Sequence, residues 1–123
     1  MSMELILDRH AEVLRKKQEE AASKIAFLEK DGRQDEADLY KAKRNLYAYF
    51  MGTLENSRKE SGNVLAAYRG KLSHLASIWE KALEKANLHG EYYRQAVEEM
   101  KLQALREALR LLKEQMEQEG IAP

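Results

Sequence analysis

The chain has no cysteine, and among its 123 residues only 1 proline and 6 glycines. Without cysteine there is no disulfide, no thiolate nucleophile and no Cys-ligated zinc. With so little proline and glycine, the backbone has few places to break. Charge of one sign is missing as well: 21 Lys and Arg stand against 21 Asp and Glu. That balance argues against the basic arm that marks binding to nucleic acid or to an acidic membrane surface. Long apolar runs are absent. The longest, Leu46-Tyr47-Ala48-Tyr49-Phe50-Met51, falls far short of the roughly 20 residues that span a bilayer. The opening Met1-Ser2-Met3-Glu4-Leu5-Ile6-Leu7-Asp8 lacks the basic start of a signal peptide. The chain therefore reads as complete and cytoplasmic, with no membrane contact.

What is present forms helices. The length suits a single domain spanning residues 1–123. Breaks at Asp31-Gly32, Ser61-Gly62-Asn63 and His89-Gly90 divide it into four segments, and Gly120 and Pro123 close the last. Glycine supplies the left-handed residue that ends a helix, and Asp, Ser or Asn beside it can cap the next. Between the breaks lie mostly Ala, Leu, Glu, Lys, Gln, Arg and Met, the strongest helix formers. The expected helices run over about 2–30 (with Ser2 as N-cap), 34–60, 63–88 and 91–119. Each is roughly 38–42 Å long, and short connections force neighbours to run in opposite directions. The fold class is all-α: an antiparallel up-down four-helix bundle with long helices.

The apolar residues recur at helical spacing. Leu7, Leu14, Ala21 and Leu28 carry the first helix, with Ala11, Gln18 and Ile25 completing its seam. Leu39, Tyr40, Leu46, Tyr47, Phe50 and Leu54 form a wide face on the second. Leu65, Tyr68, Leu72, Leu75, Trp79, Ala82 and Ala86 alternate spacings of three and four on the third. The fourth has two stripes. Tyr93, Val97, Met100, Ala104, Ala108 and Leu111 make one, and Leu102, Leu105, Leu109, Leu112 and Met116 make the other. Together they cover about 200° of the helix, twice what one buried stripe needs. On exposed faces, Glu12 with Lys16 and Glu20 with Lys24 form i,i+4 pairs. Gly52 and Gly70, on either side of the middle break, mark either a close approach of two backbones or two tolerated glycines, each costing about 1 kcal/mol relative to alanine.

Chemical motifs are scarce. None of His10, His74 or His89 follows an acid by three residues, as a di-metal bundle site requires, and no His-x-x-x-His pair occurs. Glu98-Glu99 and Glu19-Glu20 are adjacent and so diverge into solvent. No nucleophile elbow, phosphate-binding glycine loop or dinucleotide fingerprint is present. Catalytic residues, metals and cofactors are accordingly expected to be none. The basic cluster Lys41, Lys43 and Arg44 is the candidate nucleic-acid contact, although acids such as Asp35, Glu36 and Asp38 lie beside it.

Gly32-Arg33-Gln34-Asp35-Glu36-Ala37, Asn45-Leu46-Tyr47, Ile78-Trp79 and Lys81-Ala82-Leu83-Glu84-Lys85-Ala86-Asn87-Leu88-His89-Gly90 carry one resemblance. Over about Leu28 to Leu112 the chain resembles short all-helical bacterial proteins of unknown function. The resemblance implies a bacterial, cytosolic protein and carries over no functional residue. The function expected from the residues themselves is non-catalytic: binding another protein, or itself as a homodimer. Leu102, Leu105, Leu109, Leu112 and Met116 are the candidate interface if they are not covered within one chain, since an uncovered apolar stripe marks a contact surface. Otherwise they are intrachain core, because a helix sandwiched between two neighbours needs the same broad arc. The alternative is a nucleic-acid-associated helical protein using Lys41, Lys43 and Arg44.

Overall fold

Glycine sets the helix ends. The computed structural model describes residues 2–60 and 62–121; the side chain of Ser2, Ser61 of the second break and the closing Pro123 lie outside the described residues. Four helices follow one another: α1 (Ser2–Lys30), α2 (Gln34–Arg58), α3 (Val64–Leu88) and α4 (Tyr92–Gln118). Gly32 takes φ 72°, which brings its N–H to Glu29 O at 3.1 Å and the Arg33 N–H to Leu28 O at 2.9 Å. Gly120 repeats the arrangement at φ 73°, with Ile121 N–H reaching Met116 O at 2.9 Å. Both are Schellman endings, which satisfy carbonyls that the helix leaves open. At the second, Ile121 also packs against the apolar core. α2 stops at Arg58, short of Glu60, because Lys59 and Glu60 tighten into three-residue turns on Asn56 and Ser57. Asn63 caps α3, its side-chain oxygen accepting from Ala66 N–H at 3.0 Å.

The four long helices are consistent with a four-helix bundle, but they share a core over only part of their length. That core holds Ile6, Leu7 and Leu14 from α1, and Tyr47, Phe50 and Leu54 from α2. From α3 come Leu65, Tyr68 and Leu72; from α4 come Ala104, Leu105, Ala108, Leu112 and Met116. These are the early turns of α1 and α3 and the late turns of α2 and α4. α1 packs along α2, and α3 along α4, more extensively than any helix of one pair packs on a helix of the other. In the first pair only Ala21, Ile25, Leu28 and Ala37 are buried beyond the shared core. In the second, Ala86, Glu98 and Leu102 are. Each stripe is the width that a two-helix contact covers. The accessible surface of 7496 Å² exceeds the value of about 6,800 Å² that scaling gives for a compact chain of this mass. Two helix-pair arms thus extend from a common base.

Ion pairs span the pairs at defined levels. Asp8 meets Arg58 at 2.8 Å and Glu29 meets Lys41 at 3.1 Å between α1 and α2. Arg9 meets Glu119 at 2.7 Å and Lys17 meets Glu107 at 2.8 Å between α1 and α4. The expected Glu12–Lys16 pair gives way to Arg15, whose longer fork takes both Glu12 and Glu19.

The close approach expected at Gly52 and Gly70 is not made. A Cβ at either would meet no heavy atom within 4 Å, and both residues are exposed. Their absent side chains only enlarge the freedom of the unfolded chain. Gly52→Ala and Gly70→Ala are each expected to raise stability by about 0.5–1 kcal/mol in urea unfolding. A loss of stability on either change would mean that a neighbour approaches that helix more closely than the structure has it.

Candidate functional site

Two tyrosines buried in the shared core differ in one respect: one has a partner for its hydroxyl and the other has none. Tyr68 of α3 lies 2.7 Å from His10 Nε2 of α1, with the rings edge-on at 5.3 Å between centroids. Both side chains are fully buried. Burial pushes the His10 imidazole from 6.5 down to about 4, and pushes Tyr68 above its ordinary 10. The pair is therefore neutral near pH 7. His10 Nδ1 has no partner. If Tyr68 donates to Nε2, the imidazole proton sits on Nδ1 unpaired; if Nε2 donates, the phenolic proton is the unpaired one. Among the described residues no group of three or more His, Asp or Glu is placed to hold a metal.

Tyr47 of α2 is the contrast. Its ring is buried beside Phe50, and its hydroxyl has no hydrogen-bond partner. Burial first, then the nearby charges of Glu107 and Glu20, push its ionisation above the ordinary range. Around it, Lys17 of α1 holds Glu107 of α4 at 2.8 Å and approaches Glu20 at 3.8 Å. Their hydrogen bond is the main reason that Lys17 is raised and Glu107 lowered in pKa. Lys24 lies over the Phe27 ring at 5.5 Å, and not on Glu20 as the sequence suggested. Lys43 lies 5.7 Å from the Tyr40 ring centre. Cations prefer such faces when no carboxylate is in reach.

The candidate interface on α4 needs correction. Leu102, Leu105, Leu112 and Met116 are buried within one chain, and Leu109 is half-buried against the same core. The physical reason is that α4 touches α1, α2 and α3, so a broad apolar arc is used up internally. Small Ala104 and Ala108 are fully buried in the shared core. The other α4 stripe is the one left partly uncovered. Ala104 and Ala108 bury it in the core, but Val97 and Met100 are half-buried and Tyr93 is 70% exposed. Beside it, Tyr92 is 81% and Leu88 80% exposed.

Lys41, Lys43 and Arg44 do not converge either. Lys41 is held by Glu29 and by Asp38 at 3.7 Å, Lys43 turns to Tyr40, and Arg44 is half-buried. Lys41 and Lys43 point about 200° apart around the helix. Glu98, expected in solvent, is buried against Lys101 at 3.3 Å, and Lys101 lies 4.7 Å from the Trp79 ring centre. Sequence reasoning passed over the His10–Tyr68 pair, although His10 follows Leu7 by three and precedes Leu14 by four. For the orphaned hydroxyl of Tyr47 there was no signal, since a seam tyrosine reads as an apolar residue.

Two outcomes follow from these buried groups. Because the folded chain resists protonating His10, stability is full above pH 6.5 and falls as pH drops toward about 4. The decline attributable to this residue is about 3 kcal/mol, at about 1.4 kcal/mol per unit. Urea unfolding across that window checks it: His10→Leu with Tyr68→Phe should retain only the carboxylate part of the slope. Tyr47→Phe removes an unpaired buried hydroxyl and keeps the ring, so it should raise stability by about 1 kcal/mol in the same assay. No protein-family model matches the chain, and no curated protein or solved structure matches it.

Proposed function

We propose that this chain is a helical-bundle protein without catalysis of its own, acting through protein contact, with self-association as its simplest form. The observation that carries the reading is the apolar surface around the α3–α4 turn. Leu88, Tyr92 and Tyr93 are exposed there, continuous in spacing with half-buried Val97 and Met100. Scattered exposed apolar residues mean little, but a run of them continuous with a core stripe is the usual mark of a contact surface. Tyrosine suits such a surface because it buries much area for little lost freedom.

An up-down antiparallel order of the helices belongs to the same reading. It is supported by residue 8 meeting 58 while 29 meets 41, and by 9 meeting 119 while 17 meets 107. A bacterial, cytoplasmic setting is likewise part of the proposal; no helix of the described residues is long and apolar enough to cross a membrane. Nucleic-acid association has less support, because Lys41 is already neutralised by Glu29 and Asp38.

Sedimentation equilibrium at micromolar concentrations tests the contact surface. The parent chain is expected to associate with rising concentration, and Tyr93→Ser with Met100→Ser to sediment as a monomer of unchanged helicity. A parent that stays monomeric throughout would remove self-association. A double variant that associates as the parent does would remove this surface.

A further inference from the structure

A pocket of about 320 Å³ opens between α1 and α2 beside the point where α4 joins them. Its volume lies in the range of roughly 300–1,000 Å³ typical of small-molecule sites. α1 supplies Lys17, Glu20 and Lys24 to the wall, and α2 supplies Tyr40, Lys43 and Tyr47. Three features of this wall point the same way. Tyr47 is 1% exposed, and its hydroxyl has no partner. Lys24 and Lys43 have no carboxylate within 4 Å among the described residues, and each lies over an aromatic ring instead. Lys17 is committed to Glu107 and Glu20, whereas Lys24 and Lys43 form no ion pair, although the Lys43 charge is near enough to Glu107 to help lower its pKa.

We propose that this pocket binds a small anion through a carboxylate or phosphate group, paired with Lys24 and Lys43 and hydrogen-bonded by the Tyr47 hydroxyl. The Tyr40 ring forms the apolar side of the site. Long lysine side chains resting on rings are readily redirected, since a charge-assisted hydrogen bond is stronger than an exposed cation–π contact. The Tyr47 hydroxyl is itself withdrawn from water, so binding has to displace the side chains that cover it; Glu20 and Lys24 on the same wall are exposed. Near neutral pH the phenol keeps its proton, because burial and the carboxylates of Glu107 and Glu20 disfavour the phenolate. It is therefore a donor to an anion. The contrast with Tyr68 strengthens the argument: the same residue type, in the same core, has a built-in partner there and lacks one here. A buried donor left unpaired on a pocket wall, at a cost in stability, is a group that an anion can satisfy.

The site is separate from the α3–α4 surface, so the two readings fail independently. NMR of tyrosine-labelled protein, titrated with inorganic phosphate and separately with benzoate at constant ionic strength, tests it. Saturable shifts at the rings of Tyr40 and Tyr47 are expected, and the anion that produces them identifies the source of the charge. Lys24→Gln with Lys43→Gln should weaken binding by about tenfold or more. Tyr47→Phe should weaken it several-fold while the chain unfolds no earlier than the parent. Tyr93→Ser with Met100→Ser should leave the titration unchanged. Absence of saturable ring shifts with both anions would overturn the proposal. So would binding that survives both the lysine pair and the Tyr47 change, which would identify an adventitious ion only.

Discussion

Apolar burial at one end of the molecule holds the two helix pairs together, and the remaining features follow from how short that shared region is. Ile6, Leu14, Phe50, Leu54, Leu72, Leu105 and Leu112 are all essentially withdrawn from water there. Each such side chain contributes about 1.5–3 kcal/mol on burial. Surface ion pairs, numerous as they are, contribute at most about 1 kcal/mol apiece and are weakened by salt. The pairs therefore orient the helices, and the core joins them. Where the core ends, each arm has only its own narrow stripe, and residues such as Phe27, Ile78 and Tyr93 are left facing water.

A core this limited makes each polar group inside it consequential. His10 and Tyr68 bridge α1 and α3, the helices with the least backbone proximity. Neither group could be there alone without a larger penalty, since an unpaired buried polar group costs more than a hydrogen bond returns. Together they still leave one proton or lone pair unanswered, so the pair specifies a register more than it adds stability. Glu98 is managed differently. Its charge is answered by Lys101, which is in turn placed on Trp79, while one of its carboxylate oxygens is left without a hydrogen-bond donor. Tyr47 has neither solution, and its hydroxyl joins His10 Nδ1, Glu98 Oε2 and Gln115 Oε1 among the buried polar atoms without a hydrogen bond.

Much of this fold was legible because helix ends and seams are local properties. Gly32, Gly90 and Gly120 could be read as stops, since few other residues adopt positive φ at low cost, and all three do so. The spacing of Leu65, Tyr68 and Leu72 identified a buried face correctly, because side chains three and four apart must share one. What spacing does not carry is the identity of the neighbour. A 200° arc on α4 is equally what a dimer interface or a helix wedged among three others would need, and the second case holds. For the same reason Tyr93 looked like core: it lies in phase with Ala104 and Ala108, and only the end of the shared region uncovers it. Gly52 and Gly70 misled in a related way, since symmetry about a turn does not bring two helix faces together.

The forked arrangement also bears on where binding can occur. A bundle packed to its ends would have placed Lys24, Lys43 and Tyr93 against neighbouring helices, where each charge would need a built-in partner. Because the shared core stops near Leu14 and Tyr47, the first arm keeps an inner wall of lysines beside tyrosine rings. The second keeps Tyr93, Val97 and Met100 on the face that continues from the core. One wall suits an anion and the other an apolar surface. Extending the core to cover both would stabilise the chain and remove both surfaces, so the short core is itself the condition for either of the two proposed contacts.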